Sequence, residues 1–156
     1  DVSMSLNGAL AGLVSITAGC NTITPNGAIV VGALGGILVV FGILFVEKTL
    51  KVDDPVGAIS VHGICGAWGT LACGLFNAES VLGTGTQSTG LFYGGGAGQL
   101  LSQAVGVSAA LVWGLGSGAL LFGLIKQTIG LRVNEEEEYV GLDIEEHGME
   151  AYYTSK

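Results

Sequence analysis

The sequence predicts an all-α polytopic membrane protein with about four spanning helices and a polar C-terminal tail. Three observations lead there. Only 12% of the 156 residues are charged while 49% are hydrophobic, and the mean hydropathy is +0.64, too apolar for an ordinary soluble domain of this size. Charges are absent from Val2 to Val46, from Pro55 to Ala78 and from Ser80 to Ile125, and a hydrocarbon core ~30 Å thick takes about 20 helical residues per crossing. Runs such as AIVVGALGGILVVFGILFV lack the apolar-polar alternation of a transmembrane β-barrel, the other arrangement that lipid permits.

The helices are expected over 3–19, 28–46, 54–76 and 97–129, giving a transmembrane region 1–129 and a tail 130–156. The first ends at the polar stretch CNTITPNG and the second runs unbroken to the lysines Lys48 and Lys51. The third opens on Asp54 and Pro55. An aspartate N-cap accepts from a free amide of the first turn, a proline at the first helical position has no amide to satisfy, and the carboxylate suits the positive end of the helix dipole. A glycine-rich loop, SVLGTGTQSTGLFYGGG, separates it from the fourth helix. About 33 residues at 1.5 Å per residue make that last helix roughly 49 Å long, so it tilts or projects from the bilayer. The 28 glycines fit the close backbone approach typical of membrane helix interfaces.

Charge placement predicts orientation. Lys48 and Lys51 connect the second and third helices, while Lys126, Arg132 and Lys156 lie at or beyond the end of the fourth. The other two loops contain no Lys or Arg, so by the positive-inside rule both ends of the segment are expected on the cytoplasmic side. Net charge is −8, and eight of the thirteen acids follow Arg132. In that acidic tail Asn134 precedes Glu137 and Asp143 precedes Glu146 at capping-box spacing, with Gly141 and Gly148 placed to end each turn. Short capped turns and a solvated, disordered tail are the two readings, and His147 is expected to be solvated there. The chain begins DVSMSLNGAL, without a Met or a basic leader, which gives the expectation that it is one portion of a longer chain.

Several chemistries are disfavoured. Cys20, Cys65 and Cys73 form no C-x-x-C pair and have no histidine at ligand spacing, so packing residues are expected rather than a disulfide framework or a metal site. LGSGA around Ser117 departs from the G-x-S-G setting of an intramembrane serine peptidase, and TPNGA is not the N-P-A repeat of a water pore. An enzyme, a cofactor and a nucleic-acid partner are not expected.

His62 is the residue that asks for a function. It lies eight positions beyond Asp54 in an uncharged run, about 12 Å into the helix and near the middle of the bilayer. Ala58 and Gly66 stand four residues before and after it, with Gly63 adjacent and Gly69 a turn beyond, so its face has little bulk. Ionisable side chains at that depth are costly and usually mark a pathway or relay. A neutral imidazole offers one donor and one acceptor. A transport or relay role and a structural hydrogen-bonding role both remain open from the residues alone.

DDPVGAISVHGICGAWGTLACGLF, NGALAGLVSITAGC and the tail GLRVNEEEEYVGLDIEEHGMEAY together resemble the C-terminal part of ammonium transporters of the Amt/Mep/Rh family, on the Amt side. The resemblance implies helices eight to eleven of an eleven-helix subunit with an inverted repeat, in a homotrimer with one hydrophobic pore per subunit. It further implies a multi-pass protein of the plasma membrane that moves ammonium or ammonia. By the same resemblance His62 matches the second of two pore histidines that bind ammonia or relay its proton. Ala58 matches an apolar pore position, Thr17 a threonine near the outer gate, and Asp54 a capping carboxylate. The first pore histidine and the aromatic gate belong to earlier helices and have no counterpart in this chain. The family's tail and loops dock P-II signalling proteins, so a non-conducting ammonium sensor or regulatory module that binds a P-II protein is the alternative reading.

Overall fold

The computed structural model describes residues 2–83, 85 and 88–152. Thr84, Thr86 and Gln87 of the expected loop, and residues 153–156 of the expected tail, lie outside the described residues. The chain forms two compact units, Asp1–Leu111 and Val112–Lys156.

In the first unit α1 covers Val2–Thr17 and α2 covers Pro25–Phe45. A π-helical turn, Val46–Leu50, extends α2. A second π-helical segment, Ile59–Ile64, runs directly into α3, Cys65–Phe76. The short α4, Glu79–Leu82, and a 3-10 turn, Leu91–Tyr93, lie inside the stretch expected to be a loop. The long α5, Gly98–Thr128, follows and continues into the second unit. Among the described residues there is no strand, only an isolated antiparallel bridge between Ile23 and Asn77.

Among the described residues three helical stretches, Pro25–Leu50, Ile59–Phe76 and Gly98–Thr128, are long and apolar enough to cross a membrane. α1 is apolar but has 16 residues, a little under the usual requirement. It packs lengthwise against α2 and α3 nonetheless.

Two boundaries differ from expectation. α2 starts three residues early because Thr24 caps it: the Thr24 hydroxyl accepts from the amide of Gly27 at 3.2 Å, with Pro25 in the first turn. The cap-proline pair read at Asp54-Pro55 thus occurs also at Thr24-Pro25, where the proline does enter the first turn. The third span starts late. Pro55 occupies a turn closed by the Gly57 amide on the Asp54 carbonyl at 3.0 Å, and Gly57 has φ +71, a left-handed conformation that interrupts a helix.

Glycine allows the helices to meet backbone to backbone. A Cβ on Gly69 of α3 would lie 2.5 Å from the Ser15 carbonyl oxygen of α1. A Cβ on Gly42 of α2 would lie 3.0 Å from the hydroxyl of buried Ser60. Around these contacts Ala11, Val39, Ile43, Val61 and Cys65 form one buried cluster, and Ile23, Val31 and Ala72 another. The Trp68 indole donates to the Val31 carbonyl at 3.1 Å and ties α3 to α2. Cys65 and Cys73 are buried packing residues as expected, whereas Cys20 is exposed because it lies in the connection after α1.

The end of α3 is held by Asn77. Its side-chain oxygen accepts from the buried Thr22 hydroxyl at 2.6 Å and its amide donates to Ser88 at 3.3 Å. The Asn77 carbonyl accepts from Gly90 at 2.8 Å, and Phe76 meets Phe92 edge-on with centroids 5.0 Å apart. One residue therefore joins the α1–α2 connection, the end of α3 and the segment that leads to α5.

In the second unit the first tail turn matches the sequence pattern. α6, Glu135–Val140, opens with a full capping box: the Glu137 amide donates to Asn134 at 2.8 Å, and the Asn134 amide donates to Glu137 at 3.1 Å. Gly141 (φ +108) and Gly148 (φ +67) end turns as expected. Asp143 does not cap. It lies inside α7, Leu142–Glu145, and its carboxylate accepts from the Ala151 amide at 3.1 Å. That amide, with a smaller contribution from the amide of Ile144, holds the Asp143 carboxyl below its ordinary range.

The packing separates two glycines on energetic grounds. Gly69→Ala drives a methyl into the Ser15 backbone and should destabilise the helical unit by about 1–3 kcal/mol. Gly12→Ala places its methyl 3.7 Å from the Gly32 carbonyl and should stay within about 1 kcal/mol of the parent. Thermal unfolding in detergent measures both, and equal losses would contradict the packing described.

Candidate functional site

The site begins with a carboxylate. Asp54 is buried, and its two oxygens accept from the successive amides of Ala58 and Ile59, each at 2.9 Å. Helix starts leave such amides without backbone partners, and here one side chain satisfies two of them. The cap reaches the helix across the Asp54–Gly57 turn, so Pro55 shapes the approach and does not enter the helix.

The residues that follow, Ile59–Ile64, are wound as a π-helix. Such i→i+5 turns inside α-helices are often found at functional sites. His62 lies in this segment and is exposed on the helix surface. It lines a groove of about 360 Å³ together with Gly63, Gly66, Ala67 and Thr70 on one side and Gly106, Val107, Ala110 and Leu111 of α5 on the other. A Cβ on Gly74 would overlap the backbone of Leu100, and this close approach sets α5 beside α3.

The expected pathway residues therefore divide. His62, Gly63 and Gly66 share the groove. Ala58 does not line it, although it precedes His62 by four residues. Thr17 also stands apart, at the exposed end of α1 with its hydroxyl donating to the Leu13 carbonyl of its own helix at 2.7 Å. Gly69 is buried against α1 rather than beside His62. Sequence reasoning passed over Thr70 and the α5 wall. Thr70 stands eight residues after His62 and Gly106 four before Ala110, a signal of shared faces, but nothing in the spacing says that the two helices are neighbours.

The groove is lined mainly by glycine, alanine, valine and leucine, with His62 and Thr70 as its polar side chains among the described residues. A profile of the Ammonium Transporter Family matches residues 1–152. The chain belongs to that family. It is similar to ammonium transporter Amt2 of Archaeoglobus fulgidus, with 43% identity over 155 residues, covering 97% of this chain and 33% of that protein. It is similar also to the ammonium transporter of Bacillus subtilis, with 37% identity, covering 97% of this chain and 37% of that protein. Among solved structures it resembles one described as Sensor Amt Protein, with a TM-score of 0.80 and 41% identity over 94% of this chain and 34% of that one. Mep2 of Candida albicans shares the fold, with a TM-score of 0.74 and 24% identity over 84% of this chain and 29% of that one.

The family segment thus spans about a third of the length of the relatives it matches. Family and apolar helices together make it an all-α polytopic membrane protein. Its relatives are named as transporters, not as enzymes.

The double cap gives a graded prediction. Asp54→Ala leaves the Ala58 and Ile59 amides without acceptors and should lower stability by about 2 kcal/mol, and Asp54→Asn, which keeps one acceptor oxygen, by about half of that. Thermal unfolding in detergent distinguishes them, and equal losses would show that the second oxygen contributes nothing.

Proposed function

We propose that this segment forms part of the conducting wall of an ammonium transporter, with His62 as a pathway residue that binds ammonia or relays its proton. The observation that carries the reading is the position of His62, exposed on a groove whose near wall is otherwise formed by Gly63, Gly66, Ala67 and Thr70. A neutral imidazole can donate to the ammonia lone pair through one nitrogen or accept from an N–H through the other. The apolar wall excludes the hydration water that accompanies a cation, which favours passage of the neutral molecule and a separate route for its proton.

In the complete subunit Ala58, one turn inward, and Thr17, near the outer end, extend the path beyond the groove that His62 lines. Asp54 with Pro55 holds the start of the helix, and Gly63, Gly66 and Gly69 keep the pathway helix thin. The subunit is a homotrimer component of the plasma membrane, surrounded by lipid, with both ends of this segment cytoplasmic. Lysines in the connection after α2 and basic residues beyond α5 support that orientation.

A second reading is favoured by one relative. The structure named Sensor Amt Protein is 41% identical, and the tail here has a formed capping box rather than a bare acidic run. On this reading the segment serves an ammonium sensor whose tail docks a P-II signalling protein.

Two measurements separate the readings. In proteoliposomes carrying the complete subunit, His62→Leu should reduce ammonium or methylammonium flux roughly 3- to 10-fold, as expected for loss of a hydrogen bond to a neutral solute, or uncouple it from protons; unchanged flux, selectivity and coupling would sink the first reading. For the second, deletion of the residues after Arg132 should abolish capture of a P-II protein in a pull-down, and undiminished capture would remove the tail from the account.

A further inference from the structure

Among the described residues two side chains with hydrogen-bonding groups line the groove, His62 and Thr70, beside glycine, alanine, valine and leucine. Thr70 lies eight residues beyond His62, about 12 Å along the axis at 1.5 Å per residue, toward the end of α3 that Asn77 closes. Its hydroxyl donates to the Gly66 carbonyl at 3.0 Å. A hydroxyl has one proton and two lone pairs, so with the proton on Gly66 the Thr70 oxygen is left to accept. Thr17, Ser102, Ser108, Ser117 and Thr128 make the same bond back to their own helices, which is the ordinary state of a hydroxyl in a helix. None of these five lines the groove.

Acceptor-only chemistry selects the solute. Ammonium and its small methylated analogues carry N–H donors, and ammonia has three N–H donors beside its lone pair. We propose that Thr70 is a second solute-positioning residue, its hydroxyl oxygen accepting an N–H of the ammonium or ammonia that His62 meets further along. The proposal rests on the groove being a solute path. It makes the α3 wall a two-station track, with an acceptor at Thr70 and an imidazole at His62, separated by apolar surface. α5 contributes the opposite wall through Gly106 and Ala110, whose lack of bulk leaves room for a small solute beside Thr70.

The test is methylammonium flux against concentration in proteoliposomes of the complete subunit, comparing the parent with Thr70→Val, Thr70→Ser and His62→Leu. Valine keeps the shape and loses the acceptor, so the half-saturation concentration should rise roughly three- to tenfold, while serine should stay near the parent. That concentration does not depend on how many subunits are folded, so a folding defect shows only in the maximal flux; Thr70→Ala gives the same readout if valine yields no folded protein. An unchanged half-saturation in Thr70→Val beside an altered His62→Leu overturns the assignment of Thr70 alone, as does a rise shared equally by Thr70→Ser. If neither Thr70→Val nor His62→Leu changes half-saturation or selectivity, the groove is not the solute path and both readings fail.

Discussion

At membrane depth a backbone amide or carbonyl has no water to turn to, and this requirement for internal partners governs how the chain is built. It accounts for the helices themselves and for the devices at their ends. Thr24 covers one amide at the start of α2, and Asp54 covers two at the start of the third span. Asn77 uses both ends of its side-chain amide to hold the polar connections where α3 stops. Each of these polar residues stands at a helix end because that is where backbone groups lack partners.

The same constraint reaches the groove. The Asp54 cap fixes where the helix begins, a short way before the π-helical segment that holds His62. Ala58 does not line the groove, while Gly66 and Thr70 do. Close packing completes the arrangement: Gly69 brings α3 onto the α1 backbone and Gly74 brings it to Leu100 at the start of α5. Small residues thus position α3 from two sides, and His62 is left exposed on the groove. No residue of α5 is buried, so this helix defines a wall of the groove without being part of the packed helical core.

Much of this was legible in the residues. Charge-free runs located the long helices to within a few positions, and the capping box at Asn134 and Glu137 was read as the structure has it. Asp143-Glu146 carries a valid local signal, yet the more distant amide of Ala151 took the carboxylate, and Asp54 caps as read but across a turn that keeps Pro55 outside the helix. Thr24-Pro25 carried the same cap-proline signal within a stretch read as loop, and there it does start the helix.

What the sequence determined by itself was the class of fold, the family and the place of His62 in an uncharged run, because hydropathy, charge and motif are properties of the chain in one dimension. Tertiary structure decided which residues stand beside that histidine. The rotation of a helix face depends on its winding, and the α3–α5 groove depends on contacts between residues far apart in the chain. Spacing along a single helix records neither, so Thr70, Gly106 and Ala110 became visible only when the two helices were placed side by side.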